Sequence, residues 1–182
     1  KIMTTGGGGA LLTNSKTLAQ SARHLCTTAK TDDIEFDHDR VGYNYRLGNM
    51  AAALGIGQLE QLNSFLERKN QIATQYQKEL SARDGIECLH PTGENTTNSY
   101  WLYTILLKDN SRKLLQHLAE SSIQSRPLWK ALCDLPYLTE CYVHSAENTH
   151  TLTQRALSIP CSVGLTDSHQ QAVIQSIKQF IG

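Results

Sequence analysis

The chain opens on Lys1-Ile2-Met3-Thr4-Thr5-Gly6-Gly7-Gly8-Gly9-Ala10, a lysine just ahead of two threonines and a run of glycines. A primary amine held neutral and aimed at a carbonyl forms a Schiff base, which makes lysine a covalent catalyst. Glycines permit backbone shapes and close approaches that a Cβ forbids. The order of the residues excludes two other uses of such a run. A phosphate-binding P-loop places its lysine after the glycines, and a dinucleotide fingerprint spaces three glycines between a strand and a helix. Here the lysine comes first and the run leads into another strand-like stretch. Read alone, the string fits a Schiff-base lysine or a tight turn beside a solvated end.

A second motif follows, Gly42-Tyr43-Asn44-Tyr45-Arg46-Leu47-Gly48-Asn49. Loop amides and the Asn44 carboxamide beside a helix N-terminus suit an anion such as a phosphate. Arg46 adds a planar, permanently charged fork that matches phosphate or diphosphate geometry. The other reading of these residues is packing by Tyr43 and Tyr45, with Arg46 capping or pairing.

The elements that must hold these groups follow from periodicity. Residues 2–5 and 10–13 read as strands around the glycine turn. Residues 15–28 have helical spacing through Leu18, Ala22 and Leu25, and residues 31–40 read as a polar loop. Asn49 suits the cap of a helix whose apolar face runs Ala53, Ile56, Leu59 and Leu62. A second helix continues through Phe65, Leu66, Ile72, Tyr76 and Leu80 to a glycine stop near Gly85. Leu59, Leu62 and Leu66 suit burial between helices, and Arg68, Lys69, Lys78 and Glu79 suit a wet face. Strands are expected at 86–90 and 100–107 around a polar loop at 91–99, then a helix from Asn110 or Ser111. A strand at 123–126 stopped by Pro127, a helix at 146–157 and a last helix at 167–181 follow, with Val173, Ile174, Ile177 and Phe180 facing in. The closing order β-β-α-β-α-α describes a small α+β domain, and the change of texture near Gly85 marks the best boundary by composition.

Composition bounds the rest. The chain has 182 residues, of which 40% are hydrophobic and 19% charged, the balance of a globular protein. Its formal net charge is zero, so nothing points to nucleic acid or an anionic membrane. No apolar stretch approaches the roughly 20 residues needed to span a bilayer. The five cysteines are scattered without a CxxC pair, which reads as free thiols in a reducing cytoplasm. The histidines show no metal-ligand spacing, with His144 and His150 on or beside a surface helix. The acidic residues Asp32, Asp33, Glu35, Asp37 and Asp39 read as a solvated loop, so no metal is expected. The chain starts on Lys rather than Met, inside a strand-like run, which reads as a fragment.

Taken together, Lys1-Ile2-x-Thr4-Thr5-Gly6-x-Gly8-Gly9, then Gly42-Tyr43-Asn44-Tyr45-Arg46, then Ala52-x-Leu54-Gly55-x-x-Gln58-Leu59 resemble the DegT/DnrJ/EryC1/StrS family of sugar-nucleotide aminotransferases. The resemblance extends through Arg68, the 76–80 region, Ser125-Arg126-Pro127-Leu128-Trp129 and Leu157-Ser158-Ile159-Pro160. Gly7 stands where many members have Glu, and Trp129 where many have His. Within the family the glycine string and the Arg-Pro-Leu-Trp segment look most like the LegC-type branch.

The resemblance implies an α/β fold, the C-terminal part of a fold-type-I transferase dependent on pyridoxal 5'-phosphate. Residues 1–62 would be the end of the cofactor-binding large domain with its linking helix, and residues 63–182 the small α+β domain. It implies transfer of an amino group from glutamate to C4 of a nucleotide-linked 4-keto-6-deoxy (N-acetyl)hexosamine. Such sugars lead to legionaminic acid or surface polysaccharide. Lys1 matches the lysine that carries the cofactor as a Schiff base and then shuttles a proton to and from the substrate carbon. Asn44 matches a residue that reaches the cofactor phosphate from the neighbouring subunit, implying a cytoplasmic homodimer with shared sites. Tyr45, Arg46, Arg126 and Trp129 are expected along the substrate pocket. The family's ring-nitrogen aspartate, stacking aromatic and hydroxyl phosphate ligands precede the lysine and have no counterpart here, so this chain alone is expected to be inactive. A non-catalytic binding or dimerisation module keeping only the small domain is the other reading.

Overall fold

The computed structural model describes residues 1–89 and 96–182; His90 and positions 91–95, which include the end of the first expected strand and much of the polar loop after it, lie outside the described residues. The fold is mixed α/β. The chain divides into two compact units, one of Lys1 and Met3–Leu62, the other of Ile2 and Asn63–Gly182.

In the first unit, residues 1–13 form no strand. The β-type residues there have the right side chains, but among the described residues no strand pairs with them, and a strand exists only through its pairing. Helix α1 (Lys16–Cys26) starts where expected, because the Ser15 hydroxyl accepts the Leu18 N–H at 3.3 Å. Beyond it Thr28 and Ala29 adopt positive φ, at 65° and 53°, so the chain doubles back on itself. Short antiparallel bridges, Lys30 with His38 and Thr27 with Asn44, then fasten the polar loop. Within that loop Asp32 accepts the Ile34 and Glu35 amides, which hold its carboxyl below the usual carboxylate range. Asp39 is drawn down likewise by its hydrogen bond to His24.

Helix α2 (Asn49–Glu60) already includes the residue expected to cap it, so the capping position falls one residue earlier, on Gly48, with no side-chain bond to its free amides. Its expected buried face is not buried. Met50 is 87%, Ile56 60% and Leu59 57% exposed, and Gly55 is its only buried residue.

The second unit has a closed core. Helix α3 (Leu62–Leu80) buries Ile72, Tyr76 and Leu80 at four-residue spacing. Strands β1 (Ile86–Cys88) and β2 (Tyr103–Leu107) follow, then α4 (Arg112–Glu120), β3 (Arg126–Pro127), a short 3-10 turn (Leu132–Asp134), α5 (Glu147–Arg155), β4 (Ala156–Ile159) and α6 (Asp167–Ile181). The strands form one antiparallel sheet in the order β1-β2-β4-β3. Tyr103, Ile105 and Leu107 alternate along β2, and join Leu157 and Ile159 of β4 against Ile72, Tyr76, Leu114, Leu118, Val173, Ile174 and Ile177 from the helices. Across the sheet Thr104 pairs with Ser158, their hydroxyls 2.9 Å apart.

Several expectations are corrected here. The closing order lacks one strand, because residues 156–159 form the inner strand β4, with α5 ending at Arg155 and β4 starting at Ala156 without a connecting residue. Pro127 lies within β3 rather than stopping it, which an edge strand allows. Gly85 (φ 87°) is a turn inside the second unit and not a boundary, since the apolar row of α3 packs into the same core as the strands. Lys69 is not on a wet face. It is 4% exposed, lies one turn before Ile72, and donates to the Cys161 carbonyl at 2.6 Å. Arg68 beside it is half-buried and donates to the Leu165 carbonyl at 2.5 Å and to Asp167 at 2.8 Å, where α6 begins. Among the described residues no helix is long and apolar enough to cross a membrane.

Candidate active site

Lys1 is exposed at the head of an irregular segment that supplies its own shape. The Thr4 hydroxyl accepts the Gly6 N–H at 3.0 Å, and the Thr5 hydroxyl donates to the Gly7 carbonyl at 2.6 Å. Gly6, at φ 79°, makes the turn that these two bonds close. Placement comes from α2. The Thr4 N–H donates to Gln58 Oε1 at 3.3 Å, and the Thr5 methyl packs so close to Gly55 that a Cβ there would lie 2.9 Å from it.

These two α2 residues escaped attention as functional positions. The signal was present: between Asn49 at the start of α2 and Glu60 at its end, Gln58 is the one amide, and it lies one turn from Gly55.

Residues 42–46 form the second part of the site. Gly42 crosses the turn at Thr28 and Ala29 so tightly that a Cβ would fall 2.3 Å from the Thr28 carbonyl carbon and 2.4 Å from the Ala29 nitrogen. This approach, backbone on backbone, is what the glycine is for. It lets the Tyr43 N–H donate to the Leu25 carbonyl at 2.7 Å and the Tyr45 N–H to the Cys26 carbonyl at 3.0 Å. Those two loop amides are therefore spent on the end of α1 and are not available to an anion, contrary to the sequence reading. What remains for an anion is side chains. Asn44 and Arg46 are exposed, and neither side chain has a hydrogen bond or ion pair among the described residues. Tyr43 and Tyr45 stack at 5.1 Å between ring centroids, which fixes Asn44 between them. The glycine run meets this stretch at Leu47, whose Cδ1 lies 2.8 Å from where a Gly8 Cβ would be. The two motifs are thus neighbours within one unit.

Arg126 and Trp129 belong to the second unit. Arg126 opens the edge strand β3 opposite Ser158, with its side chain exposed. Trp129 is 63% exposed and stacks on Trp101, with ring centroids 5.9 Å apart. Trp101 was not singled out by the sequence reading.

One cluster of ligating side chains stands apart from these residues. Cys133, Asp134 and His150 bring Sγ, carboxylate and ring nitrogen within 4.8 Å of one another. His150 Nε2 and Asp134 Oδ1 are hydrogen-bonded at 3.0 Å, which accounts for that geometry.

Comparison with known proteins fits this geometry to a family. A sequence profile described as the DegT/DnrJ/EryC1/StrS aminotransferase family matches residues 1–178. EpsN of Bacillus subtilis (strain 168) is 35% identical over 182 residues, covering 96% of this chain and 46% of EpsN. The GDP-perosamine synthase of Escherichia coli O157:H7 is 31% identical, covering 99% of this chain and 49% of its own. Among solved structures, the aminotransferase TlmJ from Streptoalloteichus hindustanus superposes with a TM-score of 0.89 at 26% identity, over 98% of this chain and 49% of TlmJ. The chain thus spans about half the length of the curated relatives it matches. With a profile match running from the lysine at its head almost to the end of its last helix, this chain belongs to the DegT/DnrJ/EryC1/StrS aminotransferase family.

Proposed function

We propose that the polypeptide carrying this chain is a pyridoxal phosphate-dependent aminotransferase. It moves an amino group from glutamate to C4 of a nucleotide-linked 4-keto-6-deoxy (N-acetyl)hexosamine, in the manner of the LegC-type branch, toward legionaminic acid or surface polysaccharide. The observation that carries the reading is the family match over residues 1–178, which begins at the lysine itself. The relative named for GDP-perosamine synthesis supports a nucleotide-sugar substrate.

The residues present suit the cofactor by their chemistry: a primary amine for its aldehyde, and an exposed carboxamide and guanidinium for its phosphate. When bound, pyridoxal phosphate supplies the electron sink that amino transfer needs. Lys1 Nζ would hold it covalently and would be the group that takes up and returns the proton at the reacting carbon. Asn44, reaching across from the neighbouring subunit, would offer its carboxamide N–H to the phosphate, and Arg46 would balance charge nearby. Tyr45 in the first unit, and Arg126 and Trp129 in the second, would each contact the sugar nucleotide, and an indole in place of the more usual imidazole would favour the apolar face of a sugar.

A homodimer with shared sites fits α2. A helix apolar on all sides belongs in an interior, and the exposure of Met50, Leu54, Ile56 and Leu59 leaves that covering to other surfaces. We place residues 1–62 at the end of the cofactor-binding domain and residues 63–182 as the small domain. A cytoplasmic location agrees with five unpaired thiols.

The test is spectroscopic and uses the polypeptide at its full encoded length. Loading with pyridoxal phosphate should give the visible absorbance of a lysine-linked cofactor, and glutamate should drive amino transfer to a UDP-, GDP- or dTDP-linked 4-keto sugar. Lys1→Ala should abolish both. Retention of the chromophore and of transfer in that variant would overturn the assignment.

A further inference from the structure

We propose that Gln58 is a positioning residue for Lys1, acting together with Gly55 through the threonine pair. This rests on the reading of Lys1 as the cofactor lysine.

The segment from Lys1 to Gly9 has no strand or helix to hold it, so the position of the amine depends on a few side-chain contacts. Two of these reach α2. Gln58 Oε1 accepts the N–H of Thr4, three residues from the lysine. Gly55, one turn earlier on the same face, leaves room for the Thr5 methyl. The threonines join these anchors to the turn. Thr5 cannot swing its methyl away from α2 without giving up the bond from its hydroxyl to the Gly7 carbonyl. Thr4 in turn braces the Gly6 amide while its own amide is held by Gln58. The helix therefore fixes the height of the segment through a glycine and its direction through a carboxamide. That is the arrangement needed to present an amine repeatedly at one point, and it explains why an amide interrupts an apolar helix.

Gln58→Leu keeps the shape of the side chain and removes the acceptor. Gln58→Glu keeps an acceptor. Gly55→Ala leaves Gln58 alone and pushes Thr5 outward. In the cofactor-free polypeptide at full encoded length, competitive acetylation of Lys1, read by mass spectrometry of its peptide, should change about fivefold in Gln58→Leu and in Gly55→Ala relative to other surface lysines. This is the scale of one lost hydrogen bond. In the loaded enzyme both variants should lower kcat roughly tenfold, as expected for a misplaced reacting group, with KM for the sugar nucleotide within about twofold. Gln58→Glu should restore both readouts to near wild type.

Wild-type labelling and kcat in Gln58→Leu and Gly55→Ala would overturn the proposal, as would a failure of Gln58→Glu to recover them. If Gln58→Leu does not fold, Gly55→Ala decides by the same two readouts. Failure of the parent reading looks different, because Lys1→Ala would then keep its chromophore whatever the Gln58 variants do.

Discussion

Gly42→Ala places a methyl where backbone already is. The added carbon would lie 2.3 Å from the Thr28 carbonyl carbon, 2.4 Å from the Ala29 nitrogen and 2.8 Å from the Thr28 Cα. Carbon atoms rest at about 3.5 Å or more, so the two strands of chain must part by roughly 1 Å. Three backbone hydrogen bonds cross that gap: Thr28 N–H to the Tyr43 carbonyl at 3.1 Å, Tyr43 N–H to Leu25 at 2.7 Å and Tyr45 N–H to Cys26 at 3.0 Å. Lengthened by about 1 Å they no longer count as bonds. At about 1 kcal/mol each, their loss destabilises the closed 42–46 loop by about 2–3 kcal/mol, roughly a 30- to 150-fold shift. Amide hydrogen exchange followed by NMR or mass spectrometry measures this directly. The amides of Thr28, Tyr43 and Tyr45 should exchange faster by about that factor, while core amides in β2 and β4 keep their protection. Gly57→Ala is the control. Its Cβ would meet nothing within 4 Å, so it should be neutral or stabilising by up to about 1 kcal/mol through helix propensity. Unchanged protection at Tyr43 and Tyr45 in Gly42→Ala would refute the account of how Asn44 is held.

Two further outcomes concern the second unit. Leu118→Ala, at a fully buried position of α4, should cost about 2–5 kcal/mol, lowering the denaturant midpoint without changing the m-value. Alkaline pH should destabilise this unit from about pH 10 upward. Burial raises the pKa of both Tyr76 and Tyr103. Above the ordinary tyrosine pKa the unfolded chain loses protons that the folded one keeps, so stability present below that pH falls as pH rises toward the folded values. Tyr76→Phe should flatten the dependence of melting temperature on pH between about 9 and 11; an unchanged slope would count against Tyr76 as a source.

Where a local signal coincides with a packed face, the fold was legible. The last helix with its inward row Val173, Ile174 and Ile177 stands in the structure as it reads in the sequence, and α1 lies within the expected 15–28. Phe180, on the same helix, instead remains 38% exposed and lies beside the His117 ring. Strand β4 was hidden because it is buried throughout and follows a helix directly, so neither alternation nor a turn residue announces it. The strands expected around the glycine run failed for the opposite reason: their residues favour extended backbone, but among the described residues no partner strand lies beside them. Lys69 read as a solvent residue by type, and only its distant acceptor, the Cys161 carbonyl, explains its burial. The candidate site divides the same way. Lys1, Asn44 and Arg46 are visible as chemistry in the string itself. Gln58 and Gly55 act through contacts about 50 positions away, which periodicity along one helix does not encode.

The junction of α5 and β4 has a consequence for how this unit tolerates change. The helix passes into the central strand with no spare residue, and the Arg155 guanidinium clasps the Leu107 carbonyl of the neighbouring strand at 2.7 Å. An insertion of one residue there would leave two options. Either β4 slips, and Leu157 and Ile159 exchange faces with Ser158, or α5 turns by about 100° and presents a different side to solvent. The exposed surface of α5 is therefore geared to the strand register beneath it. Homologues free to vary in length should do so elsewhere, and grafted loops or tags placed at residues 155–156 would be read by the core as a change of phase.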